Sequence, residues 1–123
     1  MIPGTIKNPS NGQHLATLEP AEGTIIVSMG ETVLCTTNGA IRLSEQSQRG
    51  KYPTVLYFPK DDTNDALELV PGRSTHCPLK GDASYLSFQG QEIAWIYDRP
   101  LPSAALLADF VGFYSDKVKI KNA

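Results

Sequence analysis

Residues that mark specialised architectures are scarce in this chain. Cysteine occurs only twice in 123 residues, as Cys35 and Cys77. At most one disulfide is available, and a domain of this size holds its core without one, so both thiols are expected to be reduced. There is no Cys-x-x-Cys and no His-x-x-x-His, and His14 and His76 are the only imidazoles. A structural zinc site therefore lacks its ligands, and neither a metal nor a cofactor is expected. Long apolar runs are missing too: the first 23 residues carry Pro3, Pro9 and Pro20 rather than a signal sequence. No membrane association and a cytoplasmic location follow as expectations. Charge of one sign is equally sparse, with 13 acidic against 11 basic residues and a net charge of −2. Without a concentrated positive face, nucleic acid is not an expected partner. Lys117, Lys119 and Lys121 alternate along the chain, as on the solvated face of a terminal strand. Phosphate-binding glycine loops, a Gly-x-Ser-x-Gly elbow and an Asp-x-Asp pair are all absent.

What remains is ordinary globular composition, 41% hydrophobic and 20% charged, and one domain over residues 1–123. Turn-forming Pro-Gly, Asn-Pro and Asn-Gly pairs mark residues 1–23 as a loop-rich arm. Thr24 to Met29, Thr32 to Thr37 and Ala40 to Leu43 read as a three-stranded meander with turns at Gly30-Glu31 and Asn38-Gly39. After a polar loop from Ser44 to Tyr52, a strand from Thr54 to Phe58 ends at Pro59. Asp61 to Asp65 is a turn or a short helical start. Tyr85 to Phe88 and Ile93 to Tyr97 form a hairpin about Gly90-Gln91, with Phe88 opposite Ile93 and Leu86 opposite Trp95. That register puts Leu86, Phe88, Ile93, Trp95 and Tyr97 on one face and Tyr85 on the other. Ser103 N-caps a short helix through Ala108, and Phe113-Tyr114 and Val118 to Ile120 are further strands. The fold class is mainly β: a small antiparallel β-sheet domain of two packed layers, with one short helix near the C-terminus.

The densest reactive segment runs from Ser74 to Asp82. His76 can act as an acid or base near neutral pH, Lys80 can hold an anion, and Asp82 can orient either. These three are the candidate catalytic residues. Thr75, Cys77, Tyr85, Trp95, Tyr97 and Arg99 are the candidate ligand-binding residues. The alternative is a plain turn from Pro78 to Asp82, with Cys77 as a small buried hydrophobe on the face opposite His76.

Tyr57-Phe58-Pro59 with Asp62, Thr75-His76-Cys77-Pro78 followed by Lys80-Gly81-Asp82-Ala83-Ser84-Tyr85, Ala94-Trp95 with Tyr97, Pro100 and Pro102, and Phe113-Tyr114 with Val118 resemble the bacterial and fungal domain-of-unknown-function family 427. The resemblance covers roughly Gly23 to Ile120, the β core at 24–120. It implies a β-tent-like fold, similar to methionine sulfoxide reductase B and the ligand-binding domain of cereblon, and a nucleotidyltransferase-like label. The paired Cys-x-x-Cys zinc clamps of such tents are missing here, as are the arginine often found at position 60 and the aromatic at position 79. Three readings follow. The first is a small polar or anionic ligand bound in a pocket near His76, Lys80 and Trp95. The second is an enzyme of nucleotidyltransferase-like type. The third is a structural or protein-interaction module, recognisable by an exposed apolar patch and a homo-oligomeric contact.

Overall fold

In the computed structural model, which describes residues 5–123, twelve strands follow one another: β1 Thr5–Asn8, β2 Asn11–Pro20, β3 Ile25–Met29, β4 Thr32–Thr37, β5 Ile41–Ser47, β6 Gly50–Lys51, β7 Val55–Pro59, β8 Glu68–Cys77, β9 Gly81–Phe88, β10 Gln91–Pro100, β11 Phe110–Phe113 and β12 Lys119–Asn122. Nine of them make one antiparallel sheet in the order β1-β2-β5-β7-β11-β10-β9-β8, with β6 added to β5. The other three pair as β12-β3-β4. Neither sheet closes into a barrel, so the chain is mainly β, as its short β-prone runs indicate. No helix of the described residues is long and apolar enough to cross a membrane.

Two apolar clusters lie on opposite faces of the large sheet. The first packs Ile25, Val27, Leu34 and Cys35 of the small sheet against Phe58, Phe88, Ile93, Ile96, Val111 and Phe113. The second gathers Ile6, Ala16, Leu18, Ile41, Leu43, Tyr57 and Leu79 around Ala104, Leu107 and Phe110. Both are needed because the central strands β7, β10 and β11 are apolar on both faces, and each face must be covered.

Several local expectations are corrected. Residues 5–20 are a β-hairpin, not a loop-rich arm; residues 1–4 lie outside the described residues. The Asn8 side chain accepts the Ser10 N–H at 2.8 Å, so the Asn-Pro signal marks one turn between two strands whose Ile6, Ala16 and Leu18 are buried. The meander breaks after β4. Met29 and Thr32 flank the Gly30 turn, but β5 pairs with β2 and β7, because Thr37 Oγ1 accepts the Gly39 N–H at 2.9 Å and bends the chain toward the other sheet. The polar stretch 44–52 holds the end of β5 and its partner β6.

The β9–β10 turn is Gln89-Gly90, both at positive φ, the geometry of a two-residue hairpin turn. A bulge then follows: Glu92 pairs with Ser87 but Ala94 with Leu86. Ile93 and Ala94 consequently both enter the first core, and every later residue of β10 changes face. Trp95 lies opposite Tyr85, not Leu86. The expected five-residue face is therefore divided, with Leu86, Phe88 and Ile93 on one core and Trp95 and Tyr97 on the other.

The helix is a 3₁₀ segment, Pro102–Asp109, kinked at Ala104 and without a side-chain cap. Ser103 does not cap it; its hydroxyl donates to the Lys7 carbonyl at 3.0 Å and accepts the Lys7 N–H at 3.1 Å, fastening the segment to β1. Only Lys119 and Lys121 lie on the terminal strand, while Lys117 sits in the turn before it.

Candidate functional site

Residues paired across an antiparallel ladder share a face of the sheet, and this divides the Ser74–Asp82 segment in two. His76 pairs with Asp82 and Ser74 with Ser84, on the face of Ile96 and the first core. His76 Nδ1 is 2.7 Å from Asp82 Oδ1, and the two side chains are 64% and 41% exposed. Beside them Arg99 donates to Ser74 Oγ at 2.9 Å and Ser84 to Asp98 at 2.8 Å. This is a polar patch, largely exposed apart from the buried Ser84. Five cavities among the described residues, the Trp95 groove included, are lined by none of His76, Asp82 and Arg99.

Thr75, Cys77, Lys80, Tyr85, Trp95 and Tyr97 turn to the opposite face. Lys80 is pulled inward by the β8–β9 turn and buried, donating from Nζ to Glu45 Oε1 at 3.0 Å, with the Tyr97 ring 5.7 Å away. The trio His76, Lys80 and Asp82 is thus not one constellation: the two partners of the dyad and the ammonium lie on different faces. The turn itself explains Gly81. Its φ is +114°, and a Cβ there would stand 2.6–2.7 Å from the backbone of Arg99, Pro100 and Leu101. Glycine serves strand packing at this point, not the approach of a ligand.

Glu45 is the centre of a network that spacing alone did not reveal. Its second oxygen, Oε2, accepts from His14 Nε2 at 2.8 Å. Asn8 Oδ1 is taken by the Ser10 N–H, so the Asn8 amide N–H points to His14 Nδ1 at 3.1 Å. That leaves Nδ1 the acceptor and Nε2–H the donor to Glu45. Burial by itself would raise the Glu45 carboxyl, but the hydrogen bonds from His14 and Lys80 and the ammonium charge outweigh it and hold the acid below its ordinary value. Lys80 shows the mirror image: burial opposes its charge, while Tyr57 and Glu45 favour it, so its net shift is upward. The Tyr57 phenol, fully buried beside them, is pushed up by desolvation.

Trp95 links this network to a groove. Its indole N–H donates to Tyr57 Oη at 3.2 Å, and the two rings meet edge to face at 6.0 Å. The indole lies over Gly112, its cross-strand partner, where a Cβ would come within 2.5 Å of the ring. Tyr114 stands on it at 5.3 Å between centroids. The Tyr114 hydroxyl donates to Glu92 Oε2 at 2.7 Å, and Glu92 in turn receives Arg73 at 3.0 and 3.3 Å. Arg73 also lies 4.1 Å over the Tyr85 ring, whose hydroxyl is 2.6 Å from Thr75 Oγ1. Burial, then the bond to Glu92, pushes the Tyr114 phenol up to about 12.

Beyond the last Tyr57–Gly112 pair, β7 and β11 part and a groove of about 420 Å³ opens. Trp95 and Tyr114 form its aromatic wall against Val55, Leu56, Phe113 and Ile120. Thr54, Ser115 and Asp116 supply its polar rim. Of the residues singled out in the sequence, only Trp95 lines it. Tyr114, Asp116, Glu45 and His14 were missed. The one available signal is the alternation Ile41, Leu43, Glu45, which runs past Leu43, where the strand reading stops, into the stretch 44–52 read as a polar loop. Among the described residues, no three His, Cys, Asp or Glu side chains converge as a metal would require.

An antiparallel, mainly β chain with an aromatic groove where β7 and β11 part, and with a half-buried ion network beside its second core, is a small β domain. The chain belongs to the family described as domain of unknown function DUF427, whose family model matches residues 17–122. Comparison with curated proteins gave no match.

Proposed function

We propose that this domain binds a small molecule in the groove walled by Trp95 and Tyr114. The observation that carries the reading is the groove itself: its volume, about 420 Å³, falls within the roughly 300–1,000 Å³ of ligand pockets, and it combines apolar walls with a few polar groups. A perturbed titratable group, Tyr114, lines it, and such groups concentrate at functional sites. Tyr57, whose hydroxyl accepts from Trp95 and whose ring lies within the field of Lys80, joins the ion network to that wall. Apolar residues fill a sheet core at least as stably as a buried ion pair does, so His14, Glu45 and Lys80 are better explained by a site they help to hold. An anionic ligand gathered by His76 and Lys80 has little support, since Asp82 and Glu45 already occupy those two groups.

Trp95 is the only tryptophan, which makes its emission a direct reporter. Titration with a panel of single-ring and fused-ring aromatic metabolites is expected to give a saturable change in emission, accompanied by a raised melting temperature. In Trp95→Leu the same compounds should lose the thermal shift. A panel that gives neither saturable quenching nor stabilisation would count against the groove as a ligand site.

A further inference from the structure

We propose that the Trp95 groove selects an organic cation, an aromatic or heteroaromatic ring bearing an amine, over the carboxylate of the same shape. This rests on the reading of the groove as a ligand site. The lining residues carry one formal charge, the carboxylate of Asp116, and include no lysine, arginine or histidine. Asp116 has no ion-pair partner among the described residues. The basic groups that approach this region are engaged or turned away. Arg73 is held by Glu92 and Lys80 by Glu45. Because Ile120 faces the groove, strand alternation carries Lys119 and Lys121 to the other face of β12. Lys117, next to Asp116 in the chain, is exposed and does not line the groove.

The aromatic wall favours the same charge. The Trp95 indole N–H is already donated to Tyr57, so the wall offers a ligand no indole donor, only the aromatic surface of Trp95 and Tyr114, which attracts cations. The Tyr114 proton is likewise given to Glu92, leaving its oxygen as an acceptor. An amine brings the donors and the positive charge these groups lack; a carboxylate brings neither.

Three probes of one ring and one chain length separate the alternatives: phenethylamine, 2-phenylethanol and 3-phenylpropionate, each titrated against Trp95 emission. Phenethylamine is expected to bind on the order of tenfold more tightly than 3-phenylpropionate, with the alcohol between them. In Asp116→Asn the amine should fall to within about twofold of the alcohol, and in Asp116→Glu its advantage should be retained. Saturable binding in which the alcohol or the acid equals the amine would overturn cation selection while leaving the groove as a site. If all three failed to give a saturable signal, the groove reading would fall and the inference with it.

Discussion

The position of the Trp95 ring depends on an atom that is missing across the ladder. Gly112 is at an ordinary negative φ, so its conformation does not demand glycine; the indole lying on it does. Gly112→Ala is expected to displace the ring and cost about 1–3 kcal/mol, the usual penalty of overpacking. Urea denaturation followed by Trp95 emission reads both the loss of stability and a shift of the native spectrum. An unchanged native spectrum would mean the ring does not rest there. His76→Ala should behave in the opposite way, because an exposed His–Asp pair contributes at most about 1 kcal/mol and the emission has no reason to move. At this scale the sequence showed which residue types were unusual, but not their direction. Lys80 stands four residues from His76, yet the tight turn about Gly81 sends its side chain through to the other face. Cys77, expected opposite His76, does pack on the second core.

Whole strands are legible where alternation is clean, as in β3, β4 and β7, whereas of β9 only Tyr85 to Phe88 is. They were obscured where punctuation or a bulge intervened. Asn8-Pro9 and Asn11-Gly12 read as loop because turn residues dominate the count, although Ile6, Ala16 and Leu18 already carried the period of two. The bulge at Ile93 leaves no compositional mark, and one extra residue reverses the parity of everything after it. Tyr85 was thereby assigned to the wrong side of β9 relative to Trp95. The N-terminal hairpin offers a direct test, since Ile6 is 1% exposed in the second core yet lies outside the residues matched by the family model. Ile6→Ala is expected to destabilise by about 2–4 kcal/mol through lost burial and a residual cavity. A loop-rich arm would lose only about 0.5 kcal/mol or less, so the urea midpoint distinguishes the two.

Across the whole molecule, one carboxylate joins parts of the large sheet that are distant in its strand order. Glu45 on β5 receives His14 from the neighbouring β2 and Lys80 from the turn between β8 and β9, the latter on the side where Leu43 and Leu79 share a core with Ala104 and Leu107. Side-chain exposures of 18% and 10% for Glu45 and Lys80 keep solvent from screening the pair fully. The pH dependence follows from the directions of the shifts. The Glu45 acid is held below its ordinary 4.5, so its contribution is complete above that value and is lost as pH falls through the lowered folded pKa. Lys80 is held above its ordinary 10.5, so its contribution is complete below that value and is lost only as pH rises through the raised folded pKa. Stability from this pair should therefore form a plateau across the neutral range. Glu45→Gln leaves the ammonium without its counter-charge and is expected to cost about 2–4 kcal/mol at pH 7, with a flatter acid limb. Adding Lys80→Met should recover much of that loss, because an apolar chain of similar length restores packing without a charge to solvate. Full recovery of stability with loss of the Trp95 titration signal would mean the network is kept for the groove it supports; recovery of both would confine it to an ordinary structural tie.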